Sequence, residues 1–219
     1  MRIGILGTGT LAAALGQGWA RHGHELVIGG RSRTKADALA ARLGEAARAG
    51  TPREAVTGRD AVLLAVSWAG IEDVLRAAGA GEGTLAGTPL IDPTNAVEHG
   101  VGLLLPEPGS SAASRIAAAA PGAQVVKAFH LFAADQWTRS PSSDPGATTP
   151  TVAICGDDAS ALSVVSDLIR DVGGRAAALG GLDRARQLEE TAGFVIGLAF
   201  AGFDPASAVP HVPTGAVSA

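Results

Sequence analysis

The opening of the chain constrains its fold most tightly. Arg2-Ile3-Gly4-Ile5-Leu6 has the apolar run of a buried strand. Gly7-Thr8-Gly9-Thr10-Leu11-Ala12 is a glycine turn entering an apolar helix, and Glu25-Leu26-Val27-Ile28 is a second strand. Strand, glycine turn, helix and strand in that order make the first unit of a doubly wound sheet. The turn lets backbone approach a pyrophosphate, and the helix start presents unpaired N–H groups to its charge. Gly-x-Gly-x-x-Ala says little by itself in a chain rich in Gly and Ala. Its position between a strand and a helix is what points to a dinucleotide, with Gly7, Thr8, Gly9, Thr10 and Leu11 as the candidate contacts.

The residues after the second strand choose between two dinucleotides. A unit built for NAD usually places Asp or Glu there for the ribose diol. Here Gly29-Gly30 is followed by Arg31, Ser32, Arg33 and Lys35. A carboxylate would repel a 2′-phosphate, whereas guanidinium, hydroxyl and ammonium groups bind one. The alternative is an ordinary solvated helix start, but cations at a helix N-terminus are unfavourable unless something compensates them. The expectation is NADP(H), held by Gly30, Arg31, Ser32, Arg33 and Lys35.

Strand and helix patterns continue to alternate. Ser32 reads as a helix N-cap, with Gly44 as the stop. A minimal third strand is expected at Ala46-Ala47, and Thr51-Pro52-Arg53-Glu54 has the form of a capping box with Pro at its first helical position. Ala61–Val66 is continuously apolar, as a strand covered on both faces should be. A helix over Ile71–Ala77, a strand at Pro89–Asp92, a helix near Ser111–Ala120 and a strand at Ala123–Ala128 follow. Residues 134–149 read as a loop. Thr151–Cys155, Ala159–Val172, Ala176–Leu179 and Asp183–Ala201 then give strand, helix, strand and helix. The fold class is α/β, an N-terminal Rossmann doubly wound parallel sheet with a small C-terminal α/β extension. The expected organisation is a dinucleotide-binding domain over 1–149, an acceptor-side subdomain over 150–203, and a tail or arm over 204–219.

Composition narrows the function classes. Of 219 residues 47% are hydrophobic, many of them Ala, with 30 Gly and no Tyr, so the core is built of small side chains. A net charge of −4 gives no sign of nucleic-acid or anionic-membrane binding. The single cysteine, Cys155, rules out an internal disulfide and a cysteine-rich metal site. No metal-ligand spacing stands out, and Leu103-Leu104-Leu105 falls far short of the roughly 18 apolar residues a membrane helix needs. No leader pattern precedes the first strand, and the expected location is cytoplasmic.

Ligands of open α/β sheets lie beyond the carboxyl ends of the strands, where strand order reverses. Val66, Ser67, Trp68 and Asn95 follow the fourth and fifth strands and are further candidate cofactor contacts. Asn95 could hydrogen-bond a ribose or a carboxamide. Trp68 reads equally well as a loop-packing aromatic, and Asp92 reads as a turn or cap residue. Lys127 and His130 end the sixth strand, at the edge expected nearest the nicotinamide. They are the catalytic candidates, with a structural His130 as the competing reading. His22 and His24 lie away from that edge.

Taken together, Gly7-Thr8-Gly9-Thr10-Leu11, Val27-Ile28-Gly29-Gly30-Arg31-Ser32, Ala65-Val66-Ser67-Trp68, Asp92-Pro93-Thr94-Asn95, Val125-Val126-Lys127-Ala128-Phe129-His130 and Gly181-Leu182-Asp183-Arg184-Ala185-Arg186-Gln187-Leu188-Glu189 resemble the coenzyme F420-dependent NADP oxidoreductases. The cytosolic domains of the STEAP metalloreductases share that fold. The resemblance runs from Met1 to about Phe203. It implies hydride transfer between NADP(H) and an 8-hydroxy-5-deazaflavin. It also implies that the segment Lys127–Phe132 lies beside the deazaflavin, with the last helix closing the other side, and that the protein is a homodimer. The chain departs from the family pattern at Gly30, where Ser is common, at Leu131 and Phe132, and over Trp137–Thr149. These departures bear more on the hydride acceptor, which could be coenzyme F420 or a flavin, than on NADP(H). Two other functions remain open on sequence. One is NADPH-dependent reduction of a small carbonyl, imine or alkene, with His130 as proton donor. The other is a non-catalytic NADP-binding module.

Overall fold

A computed structural model describes residues 1–98, 101–103, 107–138 and 149–210. Its strands are β1 (Arg2–Leu6), β2 (Glu25–Gly29), β3 (Ala47–Gly50), β4 (Ala61–Leu64), β5 (Pro89–Asp92), β6 (Gln124–Lys127), β7 (Thr151–Gly156) and β8 (Arg175–Ala178). They form one sheet in the order β3-β2-β1-β4-β5-β6-β7-β8. The first six strands are mutually parallel. β7 pairs antiparallel to β6, and β8 runs parallel to β7. Strand order reverses between β1 and β4, which places the ligand crevice beyond their carboxyl ends.

The helices are α1 (Thr10–Arg21), α2 (Arg33–Leu43), α3 (Pro52–Val56), α4 (Ile71–Ala78), α5 (Ala112–Ala119), α6 (Ala159–Asp171) and α7 (Ala185–Phe200). They cover both faces of the sheet. Alternation along β4 shows why both layers are apolar: Ala61 and Leu63 pack with α1, α2 and α6, while Val62 and Leu64 pack with α3, α4, α5 and α7. Trp19 on α1 is buried and donates its indole N–H to Leu168 O on α6 at 3.0 Å, joining two helices of one layer.

Local signals act where the sequence places them. Ser32 Oγ accepts from Lys35 N–H. Thr51 and Glu54 complete a capping box, and Gly44 ends α2. Some boundaries move. The third strand is Ala47–Gly50 rather than Ala46-Ala47, because it pairs along β2 from Leu26 to Gly29. β4 ends at Leu64, so Ala65 and Val66 curve out to the crevice. Leu182–Arg184 forms a 3₁₀ turn ahead of α7. Of the loop expected at 134–149, Ala134–Trp137 is also 3₁₀, and 139–148 lie outside the described residues. So do 211–219 of the tail and Leu104-Leu105. No helix among the described residues is long and apolar enough to cross a membrane.

Candidate active site

A cleft of about 250 Å³ opens beyond β1, β2 and β4. It gathers Gly7, Thr8, Gly9, Gly30, Arg31, Ser32, Lys35, Val66 and Ser67. Thr10 and Leu11 form the first turn of α1 beside it. The two glycines of the turn have different reasons to be glycine. Gly7 has φ +131°, and a Cβ there would lie 2.0 Å from Ala65 O. Gly9 has ordinary helix-entry backbone, and a Cβ there would meet no protein atom within 4 Å. The protein leaves space over Gly9, as close approach of a pyrophosphate requires. α1 also has no side-chain cap, whereas Ser32, Thr51, Ser111 and Asp158 cap α2, α3, α5 and α6. Its first-turn N–H groups are therefore open to an anion.

The basic loop divides. Arg31 and Lys35 line the cleft, and neither has a carboxylate partner among the described residues. Ser32 Oγ accepts from the helix, which leaves its proton to donate. Arg33 does not line the cleft: its Nε donates to Asp37 Oδ1 at 2.9 Å, one turn along α2. Trp68 is also outside the lining, half-buried against the α4-side core in a short 3₁₀ turn. His22 bonds Gly18 O, and His24 bridges the chain start and Asp171, both away from the crevice.

At the ends of β5 and β6, Asn95 Nδ2 donates to His130 O at 2.6 Å. Phe129 occupies the left-handed region at φ 62°. A non-glycine residue there costs on the order of 1–3 kcal/mol and persists only where its surroundings hold it. Edge-on packing of Phe129 against Trp19 and Trp137 supplies that hold. His130 is buried, and among the described residues neither ring nitrogen has a partner; Asn95 Oδ1 also has none. Burial first, and then the Lys127 ammonium, push the His130 imidazole down to about 3.

Lys127 does not face the cleft. Its Nζ is wholly buried and meets Asp92 Oδ2 at 3.0 Å, Glu189 Oε1 at 2.9 Å and the carbonyl of Thr94. Three acceptors occupy three ammonium protons, so none points to a reacting atom. Asp92 is the turn residue expected: its Oδ1 accepts from Thr94 N–H and Thr94 Oγ1. Glu189 was not among the sequence candidates. Both of its oxygens accept from the first N–H groups of α5, at Ala112 and Ala113. Glu189 ends the Gly181–Glu189 stretch that carries the resemblance, but no spacing signals these contacts, because its partners lie far along the chain. Cys155 is buried on β7 opposite Lys127, and burial raises its thiol to about 12. No group of side chains suited to a metal ion occurs among the described residues.

A doubly wound sheet whose crevice has an uncapped helix, space over Gly9 and free cations after β2 is that of an NADP-dependent oxidoreductase. Residues 2–96 match the family model for the NADP oxidoreductases described as coenzyme F420-dependent. The provisionally assigned F420-dependent NADP-reductase of Arthrobacter sp. FB24 is 27% identical, with TM-score 0.76 over 92% of this chain and 95% of its own. The imine reductase of Streptomyces aurantiacus is 19% identical, with TM-score 0.66 over 92% of this chain and 64% of its own. The reductive aminase of Aspergillus terreus, in a complex with NADPH and ethyl levulinate, is 20% identical, with TM-score 0.65 over 92% of this chain and 62% of its own. The last two likenesses are of fold alone.

Proposed function

We propose that the enzyme exchanges a hydride between NADP(H) and a deazaflavin of the coenzyme F420 class. The cofactor side rests on one observation: Arg31 and Lys35 stand unpaired beside the Ser32 hydroxyl at the mouth of a cleft floored by Gly9. In this reading the α1 start, from Gly7 to Leu11, takes the pyrophosphate. Arg31, Ser32 and Lys35 take the 2′-phosphate, with Arg33 in a lesser part and Gly30 giving room. Val66 and Ser67 lie along the ribose, and the free Oδ1 of Asn95 accepts from the carboxamide. NADP(H), when bound, supplies or takes up the hydride.

The protein then supplies binding and orientation, which can account for about 7–11 kcal/mol of barrier in well-aligned systems. His130, neutral above pH of about 3, hydrogen-bonds on the acceptor side but is no imidazolium acid. Transfer between two rings needs no strong acid, which suits a site whose histidine is neutral. The family description and the Arthrobacter relative's assigned activity support the deazaflavin over a flavin. We assign residues 1–149 to the cofactor and 150–203 to the acceptor side.

We also propose a homodimer. From Phe194 to Phe200 the helix α7 reads Phe-Val-Ile-Gly-Leu-Ala-Phe, without one buried residue. Gly102 already closes the helix at Gly193, where a Cβ would lie 2.2 Å from Gly102 O. Beside it is a mostly apolar hollow of about 510 Å³, bordered by exposed Val101, Leu103 and Phe194 and, at one side, by the Arg186–Glu190 ion pair. A helix apolar all round is normally buried, and a second copy would bury this one.

The test is a turnover screen of NADPH against coenzyme F420, flavins and small carbonyl and imine compounds, with NADH as control. Loss of the oxidised deazaflavin's visible absorbance with NADPH, and little with NADH, is expected. Faster reduction of an imine, a carbonyl or a flavin overturns the acceptor assignment. Equal use of NADH overturns the cofactor assignment.

A further inference from the structure

We propose that Lys127, with Asp92 and Glu189, is a positioning device that fixes Asn95 and the His130 turn beyond the carboxyl ends of β5 and β6. The proposal rests on the hydride-transfer reading above. The three side chains are wholly buried and come from three elements: Asp92 from β5, Lys127 from β6 and Glu189 from α7. Their charges do not cancel within the group. The second carboxylate is offset instead by the α5 start, where Glu189 accepts at 2.8 Å from Ala112 N–H and at 3.1 Å from Ala113 N–H.

A cluster of this kind is weak ground for stability. Taking charges out of water costs much of what their attraction returns, and apolar residues of similar volume often serve as well. Its placement has a more specific consequence. Thr94 is held at every polar group it has: N–H and hydroxyl by Asp92, and carbonyl by Lys127. The next residue is Asn95. Its amide in turn holds the carbonyl of His130, the residue after the strained Phe129. Ordered contacts thus run from α7 through Lys127 and Thr94 to Asn95 and His130. They end at three of the five buried polar atoms without a partner among the described residues, Asn95 Oδ1 and the two His130 nitrogens; the others are Arg59 Nε and Trp137 Nε1. Fixed backbone on one side and unsatisfied atoms on the other is what a site needs if its donors and acceptors are set before the ligand arrives.

The test uses Glu189→Gln, which keeps shape while removing a charge, and Lys127→Met as a second variant. Each is made alone and with Asn95→Ala in the full chain. Hydrogen exchange is read at Thr94 and Asn95, alongside NADPH affinity and turnover of coenzyme F420. Glu189→Gln should speed exchange at Thr94 and Asn95 as well as at Ala112 and Ala113, and leave β1, β2 and α1 unchanged. Its NADPH affinity should stay within about twofold, while kcat falls by about 10- to 100-fold, the range that misplacement of roughly an ångström produces. In the Asn95→Ala background the same change should cost less than about twofold, because the route it acts through is gone. Equal losses in both backgrounds, or exchange that rises across the whole sheet, would overturn the proposal. If Lys127→Met does not fold, Glu189→Gln alone decides. If wild type turns over no coenzyme F420, the acceptor assignment fails, and the exchange pattern at Thr94 and Asn95 still decides this one.

Discussion

Arg33 is bound to Asp37 one helical turn along α2, while Arg31, two residues earlier, has no such partner and lines the cleft. Equal spacing in the basic loop therefore conceals unequal roles. Arg31→Ala should weaken NADPH binding by roughly 10- to 100-fold, the worth of a charge-assisted contact. Arg33→Ala should cost less than about fivefold, because an exposed pair of this kind is worth little. Titration calorimetry with NADPH and NADH separates the two, and NADH affinity should hardly change in either variant.

The glycines of the turn should separate stability from binding. Gly7→Ala forces a left-handed φ and a clash with Ala65 O, and should lower unfolding free energy by at least about 2 kcal/mol. Gly9→Ala meets no protein atom and should cost less than about 1 kcal/mol. It should nonetheless weaken NADPH binding by about tenfold or more, equivalent to some 1.4 kcal/mol. Thermal unfolding and NADPH titration of both variants check this.

His130 predicts a pH dependence of stability. Its folded value of about 3 lies below the 6.5 of an unfolded histidine, so between them the unfolded chain binds the extra proton. Stability from this residue is complete above that window and falls as pH drops through it, by about 1.4 kcal/mol per unit. Urea unfolding at about pH 7 and about pH 5 should show this loss in wild type and a smaller one in His130→Gln. The kcat of wild type should show no inflection near 6.5 from this residue.

The apolar end of α7 predicts an oligomeric state. Phe194 is half exposed beside the hollow at Val101 and Leu103. Phe194→Asp should raise the dimer dissociation constant by at least about 30-fold, as loss of a central aromatic contact does. Sedimentation of wild type and variant over a range of concentrations reads it directly. A monomeric wild type would remove the dimer proposal.

What the amino-acid order determined by itself is what neighbours in sequence can settle. The Gly7–Gly9 turn, the Ser32 cap, the capping box at Thr51 and Glu54, and the period of the strands are short-range matters of φ, hydrogen bonding and side-chain direction. That range was enough to gather nine of the expected cofactor contacts in one cleft. Even the pairing of Arg33 with Asp37 lies within one turn of helix and could have been read. Folding alone decided the remainder, because it depends on groups distant in the chain meeting in a medium that excludes water. Glu189 reaches Lys127 and α5 across 62 and more residues, and turns a catalytic candidate into a buried ammonium with no free proton. β7 reverses against β6, a choice that strand–helix alternation does not carry. Phe129 holds a left-handed backbone with Trp19 and Trp137 edge-on to its ring, and burial, with the Lys127 ammonium, pushes the neighbouring His130 imidazole down to about 3.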